Sequence, residues 1–130
     1  MRKTLFLLLI FLPLILIGQE LECCKTEKDV ETYLSGDWKK KDSDFDRLYR
    51  SEYRNGKGKF KVFIINEDGT LNPVKENVPV TKILKTENGF EIEHNFGGLK
   101  TFTGIKYLDS NKLIVTRRDG AETEYYKVTQ

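Results

Sequence analysis

The chain is poor in the residues that most often carry chemistry or staple small folds. It has one histidine, one tryptophan and two cysteines in 130 residues, and the cysteines, Cys23 and Cys24, are adjacent. A lone His94 cannot supply a histidine-rich metal centre, and the Cys-x-x-Cys spacing of redox catalysts is missing. Adjacent cysteines cannot tie distant strands together, so no disulfide framework holds the domain. Charge of one sign is lacking too: Lys and Arg number 22 against 20 Asp and Glu. Loss of Arg2 and Lys3 with a leader would leave the rest formally neutral, so the balance points to no nucleic-acid partner. There is no internal repeat, low-complexity tract or interdomain linker. No apolar run reaches the roughly 20 residues needed to span a bilayer as a helix.

What is present begins with an export signal. Arg2 and Lys3 precede an apolar run from Leu5 to Ile17, broken by Pro13, and the chain turns polar at Gln19-Glu20. This is the pattern of a secretory leader, residues 1–18, cleaved after Gly18. It predicts a secreted or periplasmic protein. Glu22 stands before Cys23, where a lipidation signal wants a small residue, so no stable membrane anchor is expected after the leader is removed. Residues 19–25 read as a flexible arm. In an oxidising compartment Cys23 and Cys24 have three outcomes: idle in that arm, an intermolecular contact through either one, or closure on each other.

Removing residues 1–18 leaves 112 of 130 residues, enough for one domain, 26–130. A short helix comes first: Thr26 caps it, Asp29 sits three residues on as in a capping box, and Val30, Tyr33 and Leu34 share a face. Gly36 ends it. Thereafter runs rich in Val, Ile, Phe, Tyr and Thr are cut by turn residues at roughly eight to twelve positions, the spacing of an all-β fold. Strands are expected at 37–40, 47–54, 59–66, 80–86, 90–94, 101–108, 112–118 and 121–129. Asn55-Gly56, Asp68-Gly69, Asn88-Gly89, Gly97-Gly98 and Asp119-Gly120 supply turns between them. Connections in the second half are too short for parallel crossovers, so the strands form an antiparallel up-and-down meander. About eight such strands remove their exposed edges by closing into a barrel.

The Gly36-Asp37-Trp38 stretch, entered from a short helix, resembles the opening of lipocalin-like domains. The Asn66-Glu67-Asp68-Gly69-Thr70 turn and Tyr107 to Leu113 are similar to small bacterial, signal-bearing members of that group. The resemblance implies a lipocalin-like β-barrel with Gly36 and Trp38 as structural residues. It also implies a basic side chain from a late strand over the tryptophan, with Arg117 and Arg118 as the two candidates. The middle motif of the family has no counterpart here, and the chain is short for a full lipocalin.

Other constellations are weaker. His94 has no Gly-x-Ser-x-Gly partner for nucleophilic catalysis. Asp42-Ser43-Asp44-Phe45-Asp46 opens like a calcium loop, yet Arg47 and Tyr53 occupy the positions that should hold Gly and Glu. Glu91 and Glu93 share a strand face, as idle surface acids often do. Lys57, Lys59 and Lys61 alternate along a strand and read as a solvated face that discourages edge pairing. The expectation is therefore not an enzyme and no cofactor, but a protein that binds a small apolar or amphipathic ligand. Its ligand-binding candidates are Trp38, Tyr53, Phe63, Phe90, Phe102 and Tyr125. The rival is a cavity-free envelope protein, an inhibitor or assembly factor acting through its surface.

Overall fold

A computed structural model describes residues 21–43, 46–74 and 78–128. The leader, Gln19-Glu20 and the centre of the Asp42–Asp46 loop lie outside the described residues. Helix α1 (Glu27–Leu34) leads into strands β1 (Gly36–Lys40), β2 (Arg47–Arg54), β3 (Lys57–Ile65) and β4 (Leu71–Pro73). Strands β5 (Val80–Thr86), β6 (Gly89–Phe96), β7 (Leu99–Leu108), β8 (Lys112–Thr116) and β9 (Glu122–Lys127) follow. All pairings are antiparallel, in the order β2-β1-β9-β8-β7-β6-β5-β3, and β2 pairs back onto β3. Eight strands thus close into a barrel, as the meander predicts. The ninth, β4, pairs only with β3. The pattern did not reveal it, because its three residues end in Pro73, a residue tolerated only at a sheet edge.

Local chemistry sets the register. Asn55 and Gly56 both take positive φ (53° and 78°), the two-residue turn that joins strands with matching twist. Arg54 is thereby placed opposite Lys57, Tyr53 opposite Gly58, and Ser51 opposite Phe60. A side chain at Gly58 would run into the Tyr53 ring and the Thr81 hydroxyl, so glycine is required there. In β7 the register shifts between Ile105 and Tyr107, a bulge. Without it Ile105 and Leu108 would face opposite sides; with it both are buried, and Tyr107 is turned outward. The bulge therefore breaks simple alternation across Phe102, Ile105, Tyr107 and Leu108.

One end of the barrel is sealed. The capping box on α1 is formed: Asp29 N–H donates to Thr26 Oγ1 (3.2 Å) and Thr26 N–H donates to the Asp29 carboxylate (3.2 Å). The Lys25 and Thr26 backbone N–H groups, both donating to the Asp29 carboxylate, hold it below its ordinary pKa. The helix packs on β2 and β5 and sends Val30 and Leu34, one turn apart, into the core. Leu21 and Cys24 join the same apolar cluster, with Ile83, Phe90, Leu108 and Leu113. Part of the stretch expected to be a flexible arm is thus packed, because Leu21 and Cys24 have apolar surface to bury. Cys23 and Cys24 are disulfide-bonded to each other.

Candidate functional site

Trp38 is the hinge between the seal and the hollow part of the barrel. Its indole N–H donates to Leu34 O (2.8 Å), tying β1 to the end of α1, and the side chain is fully buried. Gly36 allows the approach by taking φ +132°, a conformation L side chains rarely adopt. The cation over the indole is Lys127, with Nζ 4.9 Å from the ring centroid. The same ammonium donates to Tyr33 O (2.9 Å) and Ser35 O (3.2 Å), covering carbonyls at the helix C-terminus. Burial lowers the Lys127 pKa.

Neither arginine expected over Trp38 fills that role. Arg117 pairs with Asp119 in a hairpin turn (2.9 Å), and Arg118 lies over Phe102 (5.0 Å). The physical reason is register. Lys127 is directly opposite Trp38 across β1 and β9, whereas Arg117 and Arg118 lie beyond β8, which ends at Thr116.

Above Trp38 the barrel holds a chamber of about 130 Å³. Aromatic rings form much of its wall: Trp38, Tyr49, Tyr53, Phe60 and Tyr125. Tyr49 stacks on Phe60 (5.7 Å between centroids) and meets Tyr125 edge-on (5.5 Å). Leu34, Ile92, Leu113 and Val115 complete the apolar part. Polar groups are few. Thr81 Oγ1 donates to Tyr53 Oη (3.2 Å), and His94 Nε2 shares a hydrogen bond with Thr103 Oγ1 (3.0 Å). Burial pushes the Tyr53 phenol up to about 12 against the opposing effect of the Thr81 hydrogen bond. Burial, with the neighbouring Tyr49, also pushes Tyr125 up to about 12. Burial lowers the pKa of His94. Each shift favours the neutral form.

Tyr53 also borders an outer space of about 370 Å³ with Lys28, Glu31 and Asn55, and beside β3 the wall parts. On its β5 side, β3 pairs only through Gly58 and Lys59, and hydrogen bonding resumes at Val62, whose carbonyl accepts from Val74 N–H (2.9 Å), ahead of the β4 pairs from Phe63. At that gap Phe60, Val62, Val74, Val78, Pro79 and Phe96 surround a vestibule of about 320 Å³. Phe60, His94 and Thr103 belong to both spaces and form the partition between them. Val78, Phe96 and Leu99 are exposed at this end.

Of the six candidate ligand-binding residues, Trp38, Tyr53 and Tyr125 line the chamber. Phe90 is buried in the apolar cluster at the sealed end. Phe63 and Phe102 stand on the outer face, under Arg50 (4.8 Å) and Arg118. The tight turns carry the signal that separates them. Counting from Asn55-Gly56 sets Phe60 inward and Phe63 outward; counting from Gly97-Gly98 sets Phe102 opposite Glu93, on the outside. Tyr49, Ser51, Thr81, His94 and Thr103 were missed as wall residues, although the first two follow from Tyr53 by period-two alternation. His94 is hydrogen-bonded, and it lies within β6, which runs on to Phe96 instead of ending at residue 94.

The remaining acidic and basic candidates sit on the outer wall. Glu93 pairs with Lys100 (3.4 Å) and Lys61 with Glu52 (3.9 Å). No group of three or more potential metal ligands occurs among the described residues. No helix among them is long and apolar enough to cross a membrane. No family model matches the chain, and no curated protein or solved structure matches it either.

Proposed function

We propose that this chain is an exported, lipocalin-like protein that binds a small apolar or amphipathic ligand inside its barrel. One observation carries the reading: the barrel is sealed at one end by α1, Trp38 and Lys127, and hollow toward the other. An aromatic chamber backed by a packed seal and fronted by an apolar vestibule suits ligand burial, with a few polar groups to fix the pose. The lipocalin likeness draws support from the same end of the molecule, where Gly36, Trp38 and a late-strand cation meet. Export rests on the leader pattern of residues 1–18. We read the protein as a binder and not an enzyme, because the imidazole of His94 is engaged by Thr103 inside an uncharged wall.

The test is native mass spectrometry of the protein purified from its own envelope, before and after organic extraction. Extra mass that disappears on extraction is the expected result. A bare protein that also takes up nothing from a panel of lipids and porphyrins would sink the carrier reading. It would move attention to a protein partner at the exposed Val78, Phe96 and Leu99.

A further inference from the structure

We infer that the chamber selects a ligand whose leading end is an uncharged, ring-sized group bearing a hydroxyl or carbonyl oxygen, such as a phenol or quinone, with its apolar tail in the vestibule. This rests on the binding role proposed above and names the chemical class that role takes.

Three features of the wall lead there. The first is size. A chamber of about 130 Å³ is close to the apolar cavity of about 150 Å³ that admits one benzene. It accommodates a single ring and not a folded chain. The second is shape and chemistry: Tyr49, Phe60, Trp38 and Tyr125 present ring faces and edges, against which a planar group packs better than a flexible chain.

The third feature is charge. Among the described residues, neither the chamber nor the vestibule has a Lys, Arg, Asp or Glu in its wall. Lys127, in the sealed end, stacks on Trp38 and is committed to the Tyr33 and Ser35 carbonyls. A carboxylate or phosphate entering head first would lose its hydration and meet no counter-charge among these wall residues. A neutral oxygen meets partners instead. Tyr53 Oη accepts from Thr81, which leaves the Tyr53 hydroxyl proton to donate, and His94 keeps a second ring nitrogen beyond the one engaged by Thr103. The group that enters therefore carries oxygen without charge.

The experiment uses a matched pair, para-hexylphenol and para-hexylbenzoate, titrated into the purified protein at neutral pH. Trp38 is the sole tryptophan and lines the chamber, so its fluorescence reports occupancy, and calorimetry gives the affinity. The phenol is expected to bind at least about tenfold more tightly than the benzoate. Tyr53→Phe should weaken the phenol by roughly fivefold through loss of one donor and leave the benzoate unchanged. Equal affinities, or a tighter benzoate, overturn the inference while keeping the binding role, because the ligand would then enter tail first. Absence of binding by both, together with a bare protein in the mass measurement, overturns the binding role and the inference with it.

Discussion

The two ends of this barrel use similar apolar residues for opposite purposes. At the sealed end Val30, Leu34, Trp38 and Cys24 are each no more than 3% exposed, and the polar atoms there are hydrogen-bonded. At the open end Val78 is 47% exposed, Phe96 41% and Leu99 70%. The difference lies in what covers each end. A capped helix docks on one and supplies carbonyls that Trp38 and Lys127 satisfy. The other is bounded by turns and by a β3–β5 pairing that stops at Lys59. Stability concentrates where side chains fill space on all sides, and access is left where the wall is incomplete.

Substitutions can break that comparison in a graded way. The largest effect is expected from Trp38→Ala, which removes the most deeply packed ring and strands the Leu34 carbonyl. It should cost about 3–5 kcal/mol in a denaturant titration. A loss below about 1 kcal/mol would mean that the base is not the stability centre. Lys127→Met keeps much of the packing on Trp38 but abandons two helix-terminal carbonyls, and about 1–3 kcal/mol should disappear. The corresponding Arg118→Met, far from Trp38, should cost much less, and equal losses would undo the assignment of the seal to Lys127.

His94 sharpens the comparison through pH. Its folded-state pKa lies below the ordinary 6.5 because burial penalises the imidazolium. Between the two values the unfolded chain binds more protons than the folded one, so stability falls as pH drops below about 6.5. Thermal melts across mild acid should show this slope, and His94→Gln should flatten it. At high pH the two buried phenols act in the other direction. Tyr53 and Tyr125, both raised to about 12, keep protons that the unfolded chain loses above about 10. Stability should then decline from pH 10 upward. The smallest effect belongs to the open end. Leu99→Ser removes little buried surface and should change stability by less than about 0.5 kcal/mol, measured by the same denaturant titration. A larger loss would show that the open end is a packed part of the fold.

How much of this was legible beforehand varies by residue. The capping box at Thr26 and Asp29 could be read directly, because it depends on residues three apart. The strands from Arg47 and Val80 match their expected bounds, because their turns carry their own chemistry. Of the thirteen residues that line the chamber only Trp38, Tyr53 and Tyr125 were read, since inward and outward depend on register. Phe63 and Phe102 were named and stand outside, whereas Phe60 and His94 were passed over and stand inside.

By itself, then, the order of residues determined the helix, eight of the nine strands, the antiparallel succession and the turn that places Tyr53 opposite Gly58. These rest on interactions over a few positions, where propensity and sterics suffice. Tertiary structure alone decided that β2 closes on β3, that Lys127 rather than Arg117 or Arg118 covers Trp38, and that Leu21 and Cys24 help seal the base. It also decided where the wall parts, between Lys59 and Val62. Each of these brings together groups far apart in the chain or depends on which partner a strand edge finds. Local chemistry is nearly silent on such choices, because they are made by packing.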